Sequence, residues 1–417
     1  MRILHVAHQY KPAIGGSEQY IVDLSEALVR RGGQVDVFTT RARDYHTWRN
    51  ELPSFEQMDG VNVYRFPSLQ RRGYTWRLLR FGYDRYWATR SRLYEPFVFV
   101  GNGPLSPRLF LNLLWKGRRY DLVHLNGVLY FHTTYAYLGA KLLGLPIVLT
   151  PHIHLSEPQI FDIGYYDAVL RGSNLIIADT DTEKQHLIAK GIDENKLIVG
   201  GIGIKAKEFA LLRAEDCRRH FGIPEEAFVL LFLGRKVAYK GLETILRAFT
   251  TLREHDTNLY LVAAGPETHE SQVLWASYTD LPDFINLGAV SHQEKVMLLN
   301  ACDVLLLPST AEAFGIVFLE AWAVKKPVIG ARSGATPDVI AEGEDGLLIE
   351  PGDAEGLARQ IKRLINNPDL KMRLGVKGYE KVLARYTVER IADIIEQAYF
   401  QLLHQTSKRK KGQNNES

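Results

Sequence analysis

The sequence predicts two α/β domains, each built on a doubly wound parallel sheet, and three observations support this fold class. The chain has 417 residues, which is too long for one ordinary hydrophobic core and favours two domains of about 200 residues each. Short apolar runs alternate with amphipathic helical patterns in both halves, as they do in parallel sheets with helical crossovers. A cluster of glycines at 200–203 separates the halves and is suited to a hinge.

The first half begins with an apolar strand and continues in alternation. A helix is predicted over 19–30, because Ile21, Leu24 and Leu28 recur at helical spacing. Ligands of open α/β sheets bind at the carboxyl ends of the strands, so the loops after the strands are the expected functional regions. The strands predicted in this half are 3–7, 34–39, 121–125, 146–150 and 175–178.

The second half repeats the pattern and defines the remaining domain limits. We expect one domain over 1–203 and another over 204–387, with a C-terminal helix at about 388–404 that packs back on the first domain. The polar residues 405–417, which include four consecutive cations, are expected to form a disordered tail. The strands predicted in the second half are 228–233, 259–264, 284–287, 304–307 and 327–330.

Composition excludes several classes of protein. The net charge of +3 is too small to indicate a nucleic-acid-binding protein. Only two cysteines occur, Cys217 and Cys302, which fits a reducing compartment and argues against a disulfide scaffold or a cysteine-based zinc site. The first residues lead directly into a strand, and no run of about 18 apolar residues occurs, so we expect neither a signal peptide nor a spanning helix.

A basic and aromatic segment over 65–119 departs from this near-neutral average. Its acidic residues are Asp84 and Glu95 alone. Its aromatic and apolar side chains include five that fall near one face of a helix: Trp76, Leu79, Tyr83, Trp87 and Tyr94. Its cations are Arg65, Arg71, Arg72, Arg77, Arg80, Arg85, Arg90, Arg92, Arg108, Lys116, Arg118 and Arg119. A basic amphipathic helix of this kind favours an anionic membrane surface, the alternative being a solvated helix whose aromatics pack on their own domain.

A basic turn follows the first strand of the second domain. Gly234 to Gly241 contains Arg235 and Lys240, five positions apart, between that strand and a helix. Two cations beside a helix N-terminus are suited to a diphosphate, because they offset its charge while the helix supplies N–H donors.

Two carboxylates frame an apolar turn further along the chain. Glu312 and Glu320 lie eight positions apart, and the predicted helix 316–324 carries Glu320. Ionised carboxylates accept hydrogen bonds only, so the two acids are suited to separate hydroxyl groups of one sugar-containing ligand.

These motifs resemble the signature of retaining glycosyltransferases of family 4, which have the GT-B fold of two Rossmann-like domains facing a central cleft. The Glu-x7-Glu spacing is met by Glu312 and Glu320, and the Gly-Arg-x4-Lys-Gly turn is met by 234–241. The similarity is nearly continuous over 229–374 and weaker across the first domain. One departure is Lys205, which stands where the family often has an aspartate at the domain boundary.

The resemblance implies roles for residues of the second domain. Arg235 and Lys240 would stabilise the leaving diphosphate, Glu312 would touch the donor sugar, and Glu320 would bind the ribose hydroxyls. The donor-binding positions implied here are Arg235, Lys240, Val290, Glu312, Phe314, Gly315, Ile316 and Glu320.

In the first domain, Gly15 and Gly16 resemble the family's glycine-rich loop beside the donor phosphate. His152 follows a predicted strand and resembles a histidine beside the reacting sugar, although His154 is an alternative at this strand end. The candidates for contact with the acceptor are His124 and Asn126. The catalytic candidates implied overall are His152, Glu312, Arg235 and Lys240.

The implied reaction is a retaining hexosyl transfer from a nucleotide diphosphate sugar. A UDP-sugar is favoured over GDP-mannose as donor, and no cofactor or metal is expected, since no Asp-x-Asp motif occurs in a supporting family context. The acceptor is expected to be a saccharide or a lipid-linked sugar of cell-surface polysaccharide or glycolipid assembly. We expect a cytoplasmic protein, peripheral on the inner face of the cell membrane and without nucleic-acid partners.

Two other functions remain open on sequence grounds. A sugar-nucleotide epimerase or phosphorylase has the same fold, although no cofactor-lysine motif for a phosphorylase is found. A non-catalytic subunit that binds sugar nucleotides is the other alternative. The intact Arg235, Lys240, Glu312 and Glu320 argue against it, while Lys205 keeps it open.

Overall fold

The chain divides into two compact units, Met1–Gly203 with Val388–Ser417, and Ile204–Thr387. This computed structural model describes residues 1–13, 15–155, 158–254, 258–275, 278, 281 and 283–415, with side chains through Lys408. Each unit is built around a sheet of its own.

The first unit contains one sheet in the order β3-β4-β2-β1-β5-β6-β7-β8. Its inner strands are almost wholly buried, which fits their continuous apolar sequences. The strands are β1 (Arg2–Ala7), β2 (Gln34–Thr40), β3 (Phe55–Met58), β4 (Val61–Phe66), β5 (Leu122–Asn126), β6 (Ile147–Thr150), β7 (Leu175–Ala178) and β8 (Leu197–Val199).

Helices of the first unit follow the strands along the chain. They are α1 (Gly16–Arg30), α2 (Gly73–Thr89), α3 (Glu95–Asn102), α4 (Pro107–Lys116), α5 (Phe131–Leu143), α6 (Pro158–Phe161), α7 (Gly164–Gly172) and α8 (Asp181–Ala189). Short 3-10 helices lie at Arg92–Tyr94, Gly117–Arg119 and Glu194–Lys196.

One strand pair in the first sheet is antiparallel, unlike the all-parallel sheet expected. β3 and β4 form a hairpin with Phe55 opposite Tyr64. The two residues between the strands, Asp59 and Gly60, both have positive φ, 49° and 80°, as a type I′ turn requires. The Asp-Gly pair was a local signal for this hairpin that the strand-helix alternation obscured.

The second unit contains a wholly parallel sheet in the order β11-β10-β9-β12-β13-β14. Its strands are β9 (Phe228–Leu233), β10 (Leu259–Ala264), β11 (Phe284–Leu287), β12 (Val304–Leu307), β13 (Val328–Ala331) and β14 (Leu347–Ile349). Its helices are α9 (Ala214–His220), α10 (Leu242–Arg253), α11 (His269–Trp275), α12 (His292–Ala301), α13 (Ile316–Ala323), α14 (Thr336–Val339), α15 (Ala354–Ile365) and α16 (Pro368–Arg385). Further 3-10 helices lie at Ala206–Glu208 and Ala238–Lys240.

The prediction of doubly wound α/β domains is thereby confirmed. In the second sheet, the chain adds β10 and then β11 on one side of β9. It then returns to β12 on the other side of β9 and adds β13 and β14 beyond it. This strand order has its switch point between β9 and β12.

The last helix, α17 (Val388–Asn415), belongs to the first unit. Arg31 at the end of α1 donates to Asp393 at 2.5 Å and to Glu396 at 2.7 Å, and Tyr399 is fully buried. The helix continues to Asn415, so the expectation of disorder from residue 405 was wrong over 405–415. Residues 408–411 are lysine or arginine, which have good helix propensity and extend a helix that packing has already nucleated. Residues 416 and 417 lie outside the described part of the chain.

Candidate active site

The loops that carry the predicted donor residues meet at the switch point of the second sheet. β9 and β12 are parallel neighbours, with Leu230 opposite Val304 and Leu231 opposite Leu305. Their carboxyl ends therefore lie at the same edge, and the loops 234–241 and 308–315 leave the sheet side by side. This edge is where open α/β sheets bind ligands.

Lys240 and Glu312 form an ion pair at this edge, although 72 positions separate them in sequence. The Lys240 Nζ atom lies 2.5 Å from Glu312 Oε2. The Glu312 side chain is only 7% exposed, and Ser309 Oγ donates to the same oxygen at 3.3 Å. Two residues predicted separately, one for a diphosphate and one for a sugar, thus belong to one preorganised group.

Gly241 permits the close approach of these two loops. A Cβ atom at this position would lie 2.3 Å from the carbonyl oxygen of Pro308, and the residue has a φ of 77°. The Thr310 N–H donates to the Tyr239 carbonyl at 2.8 Å and joins the loops directly. Any side chain at 241 would therefore separate Lys240 from Glu312.

Glu320 is paired as well, with a lysine that no sequence motif singled out. Lys295, in α12, places Nζ 2.5 Å from Glu320 Oε1. The carboxylate is 12% exposed and lies on α13, which begins at Ile316 directly after Gly315. The side chain of Phe314 is buried against Tyr386, so this residue could offer a ligand its backbone alone. The first N–H groups of an α-helix have no acceptor within the helix, so those of Ile316 and Val317 at the start of α13 are suited to an anionic ligand.

Neighbouring cations in the basic turn have opposite environments. Arg235 is exposed. Lys236 is fully buried, with Nζ 2.5 Å from Asn286 Oδ1 and 2.6 Å from the Leu287 carbonyl, and it also pairs with Glu267. Burial lowers the pKa of Lys236, and the pairing with Glu267 opposes this effect. Lys236 therefore anchors the turn to the ends of neighbouring strands while Arg235 faces solvent.

The predicted donor-binding position Val290 lies in the loop after β11. Gly288 and Ala289 are exposed and Val290 is half-buried. The loop ends at Ser291, which forms a capping box with Glu294 at the start of α12. The same helix carries Lys295, so this loop and the Lys295–Glu320 pair are joined by one short helix.

In the first unit, His152 lies at the carboxyl edge of the central strands, two residues beyond β6. Its Nδ1 lies 2.7 Å from Asp179 Oδ2, and its Nε2 lies 3.0 Å from Asn126 Oδ1. Asn126 ends β5 and Asp179 follows β7, so three adjacent parallel strands bring the three side chains together. Asp179 was missed, because a single aspartate after a strand has no distinctive sequence pattern. The alternative histidine, His154, stacks on Phe161 at a centroid distance of 5.5 Å.

Gly15, before α1, comes close to a buried acid. A Cβ atom at this position would lie 2.1 Å from Glu18 Oε2. Glu18 Oε1 is hydrogen-bonded to His8 Nε2 at 2.7 Å, and Gly16 is the first residue of α1. Burial raises the pKa of Glu18, but the charge of His8 and its hydrogen bond outweigh burial and lower the pKa to about 2. The glycine loop therefore rests on an ionised carboxylate that sequence patterns did not reveal.

The structure does not support His124 as a residue that contacts the acceptor. Its side chain is fully buried, with Nδ1 2.5 Å from Tyr399 Oη and Nε2 2.8 Å from Thr150 Oγ1. Burial holds the pKa of His124 well below its usual range. Asn126 is also fully buried, and its amide contacts His152 and the Ser17 carbonyl. Both point inward because strand residues spaced by two share one face, which here is covered by α1 and α17.

Lys205, the departure from the family pattern, forms a partly exposed ion pair with Glu208 at 3.9 Å and precedes a short 3-10 helix. Among the residues that the structure describes, no group of three or more histidine, cysteine or acidic side chains is arranged to hold a metal ion. Within the same residues, no helix combines the length and the hydropathy that crossing a bilayer requires.

The basic segment separates into structural and exposed cations. Arg65 is fully buried and pairs with Glu56, and Arg71 donates to the backbone of Gly101 and Asn102. The exposed cations are Arg72, Arg77, Arg80, Arg85, Arg90, Arg92, Arg108, Arg118 and Arg119. The predicted helical face is wrong in part, because α2 ends at Thr89, before Tyr94. The buried residues of α2 are Thr75, Leu79, Gly82 and Tyr86.

Comparisons with known proteins identify the two units. The family model described as "Glycosyl transferases group 1" matches residues 214–381, and the model described as "Glycosyl transferase 4-like domain" matches residues 15–203. The D-inositol 3-phosphate glycosyltransferase of Thermobifida fusca is 27% identical, over 94% of this chain and 89% of its own length. The N-acetyl-alpha-D-glucosaminyl L-malate synthase of Bacillus anthracis is 27% identical, over 68% of this chain and 75% of its own.

A solved structure shares the fold. The crystal structure of HepE from Anabaena, in complex with UDP and glucose, matches with a TM-score of 0.72 over 95% of this chain and 98% of that chain. The two sequences are 18% identical, so this likeness concerns the arrangement of the backbone.

Proposed function

Since this chain belongs to the group 1 glycosyltransferases, with a family 4-like first domain, we propose that it moves a hexose from a nucleotide diphosphate sugar to an acceptor hydroxyl with retention at the anomeric carbon. The observation that carries this proposal is the Lys240–Glu312 pair at the switch point of the second sheet. A cation and a carboxylate held at that edge match the diphosphate and the sugar of such a donor.

The side chains supply a consistent chemistry for the transfer. Glu312 and Glu320 accept hydrogen bonds from donor hydroxyls, while Arg235 and Lys240 stabilise the charge that grows on the leaving diphosphate. The acceptor oxygen bonds to the anomeric carbon as the bond from that carbon to the diphosphate oxygen breaks. The acceptor proton passes to the leaving phosphate oxygen. In this mechanism the cations of Arg235 and Lys240 take the place of a metal ion, so the reaction is metal-independent.

A UDP-sugar is the proposed donor and GDP-mannose the second choice. HepE, which shares the fold, has been solved with UDP, and the relative from Bacillus anthracis is named for transfer of an N-acetylglucosaminyl group. The proposed acceptor is a saccharide or lipid-linked sugar of cell-surface polysaccharide or glycolipid assembly.

Nucleotide binding in the absence of metal tests the donor site. We expect UDP to bind the purified protein with micromolar affinity in the presence of EDTA, because cations already present offset the diphosphate charge. Isothermal titration calorimetry with UDP, GDP and ADP, each with EDTA and with added Mg²⁺, measures this. A GDP preference would reassign the base, and binding that requires Mg²⁺ would contradict metal independence.

Product analysis separates transfer from the alternatives. Incubation of a labelled UDP-sugar with and without a pool of saccharide and lipid-linked acceptors should yield label in the acceptor fraction. A new sugar nucleotide formed without acceptor would indicate an epimerase. Tight nucleotide binding without any product would favour a non-catalytic subunit.

We also propose that the protein works at the cytoplasmic face of the membrane and binds anionic lipid through region 65–119. The strongest support comes from α4, where Leu111 is 60% exposed and Trp115 is 76% exposed. Arg108, Leu111 and Trp115 recur at helical spacing and therefore share one face. Exposed apolar side chains beside arginines are suited to the interface of an anionic bilayer.

Vesicle binding tests this surface. The Leu111→Ser/Trp115→Ser variant should bind vesicles of phosphatidylcholine and phosphatidylglycerol about tenfold or more weakly, since two apolar side chains no longer leave water. Co-sedimentation measures the change. The matched control, Met372→Ser, removes a 64% exposed apolar side chain from α16 and should bind as the wild type does. The assignment would be contradicted if Leu111→Ser/Trp115→Ser bound the mixed vesicles as strongly as Met372→Ser does. It would also be contradicted if the wild type bound vesicles of pure phosphatidylcholine as strongly as the mixed vesicles.

A further inference from the structure

Both ring nitrogens of His152 are engaged by oxygen atoms of the protein. Nδ1 lies 2.7 Å from Asp179 Oδ2 and Nε2 lies 3.0 Å from Asn126 Oδ1, and the side chain is 11% exposed. A neutral imidazole has one donor nitrogen and one acceptor nitrogen, whereas an imidazolium has two donors. The identity of the two oxygen atoms therefore determines the protonation state that this geometry accommodates.

The orientation of the Asn126 amide is set by the backbone of α1. Asn126 Nδ2 donates to the Ser17 carbonyl at 3.1 Å, and a carbonyl oxygen can only accept. Reversing the amide would place two oxygens in contact there and would place an N–H group against His152. Asn126 Oδ1 must therefore face His152 Nε2, and this nitrogen must carry a proton.

The contact with Asp179 imposes the same condition on the other nitrogen. Asp179 is 3% exposed, and its Oδ2 atom, when ionised, accepts a hydrogen bond from a protonated Nδ1. The nearby acid Glu183 receives backbone N–H groups on both oxygens, from Ile153 at 2.9 Å and from Asp179 at 2.6 Å. Burial and the charge of Asp179 raise the pKa of Glu183, while these two backbone hydrogen bonds lower it.

Other elements around the ring do not compete for its protons. Tyr20, in α1, packs edge-on against His152 at a centroid distance of 5.0 Å, and its hydroxyl contacts Thr150. Glu18 is paired with His8, and His124 is committed to Tyr399 and Thr150. Burial lowers the pKa of His152, but the charge and hydrogen bond of Asp179, with smaller effects from Glu183 and Glu18, outweigh it and raise the pKa.

We propose that Asp179 and Asn126 are positioning residues that hold His152 as an imidazolium at neutral pH, at the carboxyl edge of the first sheet. In this state His152 has no lone pair and cannot act as a general base. It contributes a fixed positive charge and a fixed backbone at 151–153. His152 has a φ of 55°, which is unfavourable for a residue with a Cβ atom, and the two ring hydrogen bonds hold it there. The role in turnover rests on the proposed sugar transfer, whereas the protonation state does not.

The protonation state can be measured directly by NMR of the intact protein labelled with ¹⁵N-histidine. Long-range ¹H–¹⁵N spectra distinguish an imidazolium from each neutral tautomer, and a pH titration gives the midpoint for His152, assigned by its loss in His152→Gln. We expect imidazolium signals at pH 7 and a midpoint above the usual value of about 6.5. Asp179→Asn keeps an acceptor oxygen but removes the charge, and it should lower the midpoint by about 1–3 pH units.

Asp181→Asn is the matched control, because it removes an exposed carboxylate two residues further on, at the start of α8. It should leave the midpoint unchanged. A neutral ring in the wild type at pH 7 would overturn the proposal whatever the variants do. An equal midpoint in Asp179→Asn and the wild type would also overturn it. Calorimetry with UDP on the same samples reports the donor site independently, so loss of nucleotide binding would count against the proposed function alone.

Discussion

Replacing Lys240 with alanine is expected to lower kcat/KM for sugar transfer about 10²–10³-fold, the usual loss when one group that stabilises developing charge is removed. The Lys240 ammonium is the side-chain cation that contacts Glu312, and both lie at the edge where the diphosphate is proposed to bind. Steady-state transfer from a UDP-sugar to acceptor measures the effect, once a productive pair of substrates has been found.

A folding control is needed because Lys240→Ala leaves Glu312 buried without its ion-pair partner, which can itself destabilise the protein. The double variant Lys240→Met/Glu312→Gln removes both charges at similar volume and should fold while remaining inactive. Lys362→Ala, which removes an exposed lysine from α15, should retain wild-type kcat/KM. Full activity in the folded double variant would refute the role of the pair in transfer.

Glu320→Gln is expected to weaken UDP binding about 10- to 100-fold, because hydrogen bonds from the ribose hydroxyls to an ionised carboxylate contribute about 1.5–3 kcal/mol. The variant also frees Lys295, whose Nζ lies 2.5 Å from the carboxylate. Calorimetry with UDP measures the affinity. His152→Ala should leave that affinity unchanged and lower turnover instead, since His152 is assigned to the first unit and to the reacting sugar.

The control for Glu320 is Glu355→Gln, which neutralises a carboxylate that is 89% exposed on α15. Its affinity for UDP should equal that of the wild type. If Glu320→Gln bound UDP normally but Lys295→Met did not, the nucleotide would contact the lysine, and the assignment of Glu320 to the ribose would be wrong.

Local sequence patterns were sufficient for the fold class and for the positions of the motifs. The β9 and β12 strands are short apolar runs bounded by turn residues, and their limits 228–233 and 304–307 agree with the structure. The resemblance to family 4 glycosyltransferases is confirmed by the matched family models. The antiparallel hairpin at 55–66 was not predicted because β3 is a short, partly exposed strand, and only the Asp-Gly turn distinguished the pair.

Pairings between distant residues could not be obtained from those patterns. Arg235 and Lys236 are adjacent cations in one turn, yet one is exposed and the other is fully buried. His124 was selected for its place at a strand end, but the alternation of side chains along β5 directs it into the core. The partner residues Lys295 and Asp179 were missed because each lies in an ordinary helix or loop with no motif of its own.

The doubly wound fold could be predicted because hydrophobic periodicity and turn chemistry act over a few neighbouring residues. The family and the residue types of the candidate site could be predicted because their motifs resemble those of family 4 glycosyltransferases. The tertiary structure alone decided that Lys240 binds Glu312, that Lys295 binds Glu320, and that Asp179 and Asn126 enclose His152. These contacts depend on strand order, since parallel neighbours place their carboxyl ends at one edge whatever their separation along the chain. Charge state follows from the same geometry, because the oxygen atoms that meet a histidine ring determine how many protons it carries.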